Sequence, residues 1–89
     1  MGLAEILIDI HGLENELLGF ERKYGVRSEI FYQAYQGGEE PENSDWVMDF
    51  SEWAALYKTW LQRQSEYREE ANIARQKVGS LMKLIRQIA

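Results

Sequence analysis

Residues 46–88 read WVMDFSEWAALYKTWLQRQSEYREEANIARQKVGSLMKLIRQI, and their spacing decides the fold class. Trp46, Phe50, Trp53, Tyr57, Trp60, Gln64, Tyr67, Ala71, Ala74, Val78, Leu81, Ile85 and Ile88 step by four and three without a slip. Twelve of these thirteen are apolar, which is the signature of one face of an α-helix. Residues 62–77 contain neither Gly nor Pro and consist mostly of strong helix formers. The pattern predicts one continuous helix over about 45–88, with Gly79-Ser80 as the point where it is most open to a break. Asn43 or Ser44 is placed to cap its start.

The same period recurs upstream. Leu3, Ile6, Ile10, Leu13, Leu17, Phe20 and Tyr24 alternate steps of three and four. Gly25 follows, a residue suited to the left-handed position beyond a helix end. A first helix is expected over 3–24. Ser28 is placed to cap a second, short helix running through Gln36, with Ile30, Phe31, Ala34 and Tyr35 as its apolar face. Gly37-Gly38 ends it, and Glu39–Asp45 (EEPENSD) forms a polar loop with the single proline. Nothing in the pattern calls for a strand. The expected class is all-α: a helical hairpin with a short middle helix and a long C-terminal helix. The expected core is Leu13, Leu17, Phe20, Tyr24, Phe31, Phe50, Trp53, Tyr57 and Trp60.

The lengths imply a partner. At 1.5 Å per residue the first helix spans about 33 Å and the third about 65 Å. Residues 1–67 can form the hairpin body; 68–89 remain as a basic amphipathic extension with no helix of their own chain to cover it. Apolar surface left in water costs about 25 cal/mol per Å². The expected oligomer or partner interface is therefore Gln64, Tyr67, Ala71, Ala74, Val78, Leu81, Met82, Ile85 and Ile88, flanked by Arg68, Arg75, Lys77, Lys83 and Arg86.

Positions beside the stripe change along the third helix. Val47, Ala54, Leu56 and Leu61 give a wide apolar face suited to a bundle. Arg63, Arg68, Glu70, Arg75 and Lys77 then narrow it to a seam suited to a coiled coil. Met82, Leu84 and Ala89 widen it again. Gln64 is the one polar residue of the seam and can set register or orientation.

Charge is segregated. The chain of 89 residues carries 10 basic and 15 acidic side chains, net −5. Residues 1–61 hold 4 basic and 12 acidic, net −8; residues 62–89 hold 6 basic and 3 acidic, net +3. An acidic body repels phosphate, so no nucleic-acid partner is expected. Asp9, Glu14, Glu16 and Glu21 of the first helix complement the basic flanks of the third, which favours a swapped or staggered assembly.

The inventory argues against chemistry. There are no cysteines and one histidine, His11, so thiolate metal sites are excluded and His11 has no companion ligand; it reads as a surface residue. Glu39, Glu40, Glu42, Asp45, Asp49 and Glu52 lack the order of a calcium loop and read as a solvated loop with favourable charge at a helix N-terminus. Trp46, Trp53 and Trp60 carry too few neighbouring cations for base stacking and read as core. No enzyme activity and no cofactor are expected. No apolar run is long enough to span a membrane, and Glu5 and Asp9 interrupt the N-terminal apolar stretch. A cytoplasmic protein is the expectation, its tail meeting a protein in preference to a membrane surface.

The strings Phe20-Glu-Arg-Lys-Tyr-Gly25, Ser28-Glu-Ile-Phe31 and Asp49-Phe-Ser-Glu-Trp-Ala-Ala-Leu-Tyr57 are similar to a family of small prokaryotic helical proteins. That family shows a KYG-x-S-x-E-x-F segment, a loop of glycine and acids, and a D-F-x-E-W-A-A-L-Y helix. The resemblance covers roughly 10–67. Here the Ser28–Phe31 segment is more tightly spaced, the loop holds Pro41, and 68–89 lies outside the pattern. The resemblance implies an antitoxin-like partner of small TumE-type toxins, and separately the acidic body suits a basic partner.

Overall fold

The computed structural model describes residues 2–88, and among them every regular element is helical. The chain runs α1 (Leu3–Tyr24), α2 (Ser28–Gln36), a single 3₁₀ turn (Ser44–Trp46), α3 (Val47–Val78) and α4 (Leu81–Ile88). The fold is all-α.

Each boundary has a local cause. Gly25 (φ 77°) closes α1, its N–H donating to the Glu21 carbonyl at 2.8 Å. The Asn43 side chain accepts from the Asp45 N–H at 2.9 Å and starts the 3₁₀ turn that leads into α3. Ser28 does not cap α2 in the expected way. It is the first helical residue, and its N–H donates to Glu21 Oε2 at 2.9 Å, so a carboxylate reaching over from α1 satisfies the free end of α2.

The expected continuous helix over 45–88 is corrected at Gly79. There the backbone turns left-handed (φ 89°) and the Gly79 N–H donates to the Arg75 carbonyl at 2.9 Å. Ser80 then opens α4, its hydroxyl accepting from the Lys83 N–H at 3.2 Å. A straight rod from Val47 to Ile88 would measure about 63 Å, whereas the longest dimension of the molecule is 52 Å. The chain therefore leaves the α3 axis at Gly79. Leu84 is buried as a result, at 8% exposure. The stretch ends near Ala89, which lies outside the described residues.

α1 lies along α3 with residue numbers falling on one as they rise on the other. Lys23 Nζ meets Asp49 Oδ2 at 2.6 Å, Trp60 Nε1 donates to Glu14 Oε2 at 3.2 Å, and Arg63 Nε lies 3.5 Å from Asp9 Oδ2. α2 packs against both, its Phe31 on Phe50 and Trp53 of α3, its Tyr32 on Tyr57, and its Ser28 on Glu21 of α1. The core joins buried Leu17, Phe31, Trp53 and Ala54 to half-buried Phe20, Tyr24, Phe50, Tyr57 and Trp60. Leu13 is half-buried further along α1, and Ile6 and Ile10 are buried towards its start.

Trp53 is the centre of the core, with no exposed surface. Phe31 stacks flat on it at 3.9 Å and 2°, and Phe20 and Tyr24 lie nearly parallel to it at 5.6 Å. A tryptophan buries 150–250 Å², roughly 4–6 kcal/mol of gross transfer energy. Its indole N–H is satisfied by Ser28 Oγ at 2.9 Å, and that hydroxyl donates in turn to Glu21 Oε2 at 2.7 Å. Among the described residues no buried side-chain polar atom lacks a partner.

Candidate interaction surface

Two surfaces stand apart from the core. The first is α4 with the end of α3. Gln64, Tyr67, Ala71, Ala74 and Val78 are half-buried along α3. Beyond Gly79 the pattern changes: Leu81, Met82, Ile85 and Ile88 are 55, 57, 46 and 54% exposed, while Leu84 turns inward. The sequence stripe is thus divided between two helices and does not form one face. Arg68, Arg75, Lys77, Lys83 and Arg86 are exposed, and no ion pair among the described residues involves any of them.

The second surface was not legible as a site in the sequence. Where the start of α2 meets α1 and α3, a cleft of about 400 Å³ opens, lined by Glu14, Leu18, Glu21, Glu29, Tyr57 and Trp60, with Arg27 and Ser28 at its edge. Tyr57 and Trp60 lie nearly parallel, ring centroids 5.5 Å apart, and form an aromatic wall. Leu18 adds exposed apolar surface to it. Three carboxylates against one guanidinium make the cleft negative. The Tyr57 phenol registers this: burial raises its pKa first, and Glu29, Tyr32 and Glu21 raise it further. Burial also raises the Glu21 carboxyl, but the Ser28 N–H and hydroxyl and Arg27 outweigh it and hold the group below its ordinary value. Heptad spacing places Tyr57 and Trp60 on the α3 face; only the fold brings Glu29 to them.

The acidic loop does not gather into a metal centre. Asp49 turns from it to Lys23 and to the Tyr24 hydroxyl, which donates at 2.6 Å, and both hold its pKa down. Glu39, Glu40 and Glu42 border a groove beside Pro41, Trp46 and Phe50. Among the described residues no group of three or more His, Asp or Glu is placed to hold a metal ion, and His11 is exposed. No helix among them is long and apolar enough to cross a membrane.

No protein-family model matches the chain, and no curated protein or solved structure matches it either.

Proposed function

We propose that this chain is a non-enzymatic protein-interaction module of the antitoxin type. It pairs with a second copy through its C-terminal helical segment and takes a basic, toxin-like polypeptide on its acidic body. It works in the cytoplasm, without a cofactor, and engages neither nucleic acid nor a membrane.

The apolar face of α4 carries this reading. Four large side chains, Leu81, Met82, Ile85 and Ile88, stand about half exposed within one eight-residue helix. Scattered apolar residues on a surface need no explanation, but a cluster on one short element marks an association surface. The negative body supplies the complementary half: a basic partner is steered to it and unlike charges fix its register.

Co-expression with the product of an adjacent gene tests the toxin reading. The expected result is a one-to-one complex and restored growth; no complex and no rescue removes it. Light scattering tests self-association separately, and a monomeric mass at every protein concentration tried removes that part. A purely structural homo-oligomer is the second reading. It is favoured by the segregation of charge, since one chain holds both halves of a complementary contact.

A further inference from the structure

Resting on the self-association proposed above, we infer that the cleft between α1, α2 and α3 is the docking site for α4 of a second copy, in a reciprocal dimer. Each copy lends its α4 and receives its neighbour's.

Charge complementarity selects this occupant. The cleft offers Glu14, Glu21 and Glu29 beside Leu18, Tyr57 and Trp60. α4 offers Leu81, Met82, Ile85 and Ile88 along one side, with Arg86 at its border next to Met82 and Lys83 about 60° further round the helix, and from Ala71 to the end of the chain there is no acid. Pairing α4 with α4 would bring Arg75, Lys77, Lys83 and Arg86 of both copies together with nothing to neutralise them. Placed in the cleft, Lys83 and Arg86 meet Glu14 and Glu29, and a cation gains further over the faces of Trp60 or Tyr57.

Distance excludes the chain's own α4. Trp60 lies eighteen residues before Val78 on a single helix, about 27 Å away. α4, about 12 Å long, begins only after Gly79 and cannot reach back. Size favours reciprocity: a stable interface buries about 800 Å² per partner. One eight-residue helix covers too little, and the second, symmetry-related contact doubles the area. The closed two-fold arrangement also prevents head-to-tail growth into filaments.

Full-length charge variants test the arrangement by analytical ultracentrifugation at low salt, with circular dichroism to establish that each remains helical. Glu14 and Glu29 are chosen because Glu21 holds the start of α2. The body variant Glu14→Lys/Glu29→Lys and the tail variant Lys83→Glu/Arg86→Glu are each expected to weaken the dimer by about tenfold or more. An equimolar mixture of the two is expected to recover it, because both contacts are then complementary. Raising salt from about 50 to 500 mM weakens the wild-type dimer in the same direction. A body variant that dimerises like the wild type overturns the inference while leaving self-association standing. A wild type that is monomeric throughout overturns both. If a charge-reversal variant unfolds, Glu29→Gln alone with Arg86→Gln alone gives the same comparison at smaller amplitude.

Discussion

The indole Nε1 of Trp53 donates to the Oγ of Ser28 at 2.9 Å, joining the second turn of α3 to the first residue of α2 in the driest part of the molecule. The serine is itself 3% exposed, and its hydroxyl donates in turn to the Glu21 carboxylate on α1. Three helices thus share one hydroxyl. Ser28→Ala is expected to destabilise the fold by about 1–3 kcal/mol, because the indole N–H loses its only protein partner in a site closed to water. At the usual scaling for a chain of this size that is a fall of about 4–8 °C in Tm per kcal/mol, read by calorimetry. Ser28→Thr keeps the hydroxyl and is expected to recover part of the loss. An alanine variant as stable as the wild type would show that the hydrogen bond contributes nothing net.

The same network sets a pH dependence. Glu21 and Asp49 both ionise more readily in the folded chain than at their ordinary values of 4.5 and 3.8. For a carboxylate with a lowered folded pKa, the stabilisation is full above the unfolded value and disappears as pH falls through the folded one. Stability is therefore expected to be level from pH 7 down to about 5 and to fall below that. Glu21→Gln should be less stable than the wild type at pH 7 and lose less on acidification. Parallel curves of Tm against pH for the two proteins would remove Glu21 as a source of the acid transition.

The limits of α1 and α2 follow from residues visible in the sequence. Gly25 and Gly37 end runs of apolar period three and four, and the structure places the helices at Leu3–Tyr24 and Ser28–Gln36. The division at Gly79 was obscured because the four-three stepping passes through it: Val78, Leu81 and Ile85 keep phase whether or not the helix turns. Two local signals outweigh that phase. Glycine directly after a last turn bearing Arg75 and Lys77 is a termination pattern, and Ser80 is a capping residue. Turning also buries Leu84, which a straight rod leaves beside the seam in water. The cleft was hidden for a different reason. Glu14, Glu29 and Trp60 are distant in sequence, and no periodicity within one helix reports what a neighbouring helix brings beside it.

Gly79 therefore sets the shape of the tail. A Cβ at this position meets nothing within 4 Å, so Gly79→Ala introduces no clash. It does introduce strain, because the positive φ costs an L-residue about 1–2 kcal/mol, while alanine gains about 1 kcal/mol over glycine in a helix interior. Both terms favour a straight helix, against the burial of one leucine. Gly79→Ala is expected to lengthen the molecule from its present 52 Å towards about 63 Å, measured by small-angle scattering on the monomer fraction. Helix content by circular dichroism should rise as residues 79 and 80 join the helix. An unchanged maximum dimension would mean that packing of α4 outweighs the backbone preference.

Leu84 and Leu81 separate the two roles of α4, holding to its own chain and meeting another. Leu84 is buried and Leu81 is more than half exposed, three residues apart on one helix. Leu84→Ala removes buried methyl groups from a terminal element free to relax, so a loss of about 2 kcal/mol, the low end of the range for such changes, is expected in the monomer. It should appear as faster hydrogen exchange across residues 81–88. Leu81→Ser changes a side chain already in water, and its effect on monomer stability should be within about 0.5 kcal/mol. Its effect on association should be the larger of the two, a weakening of about tenfold for each contact and about a hundredfold for a reciprocal dimer that loses two. Measuring stability and dimer dissociation for both variants gives a two-by-two comparison. Crossed outcomes, with Leu84→Ala altering association alone or Leu81→Ser altering stability alone, would reverse the roles assigned to Leu84 and Leu81.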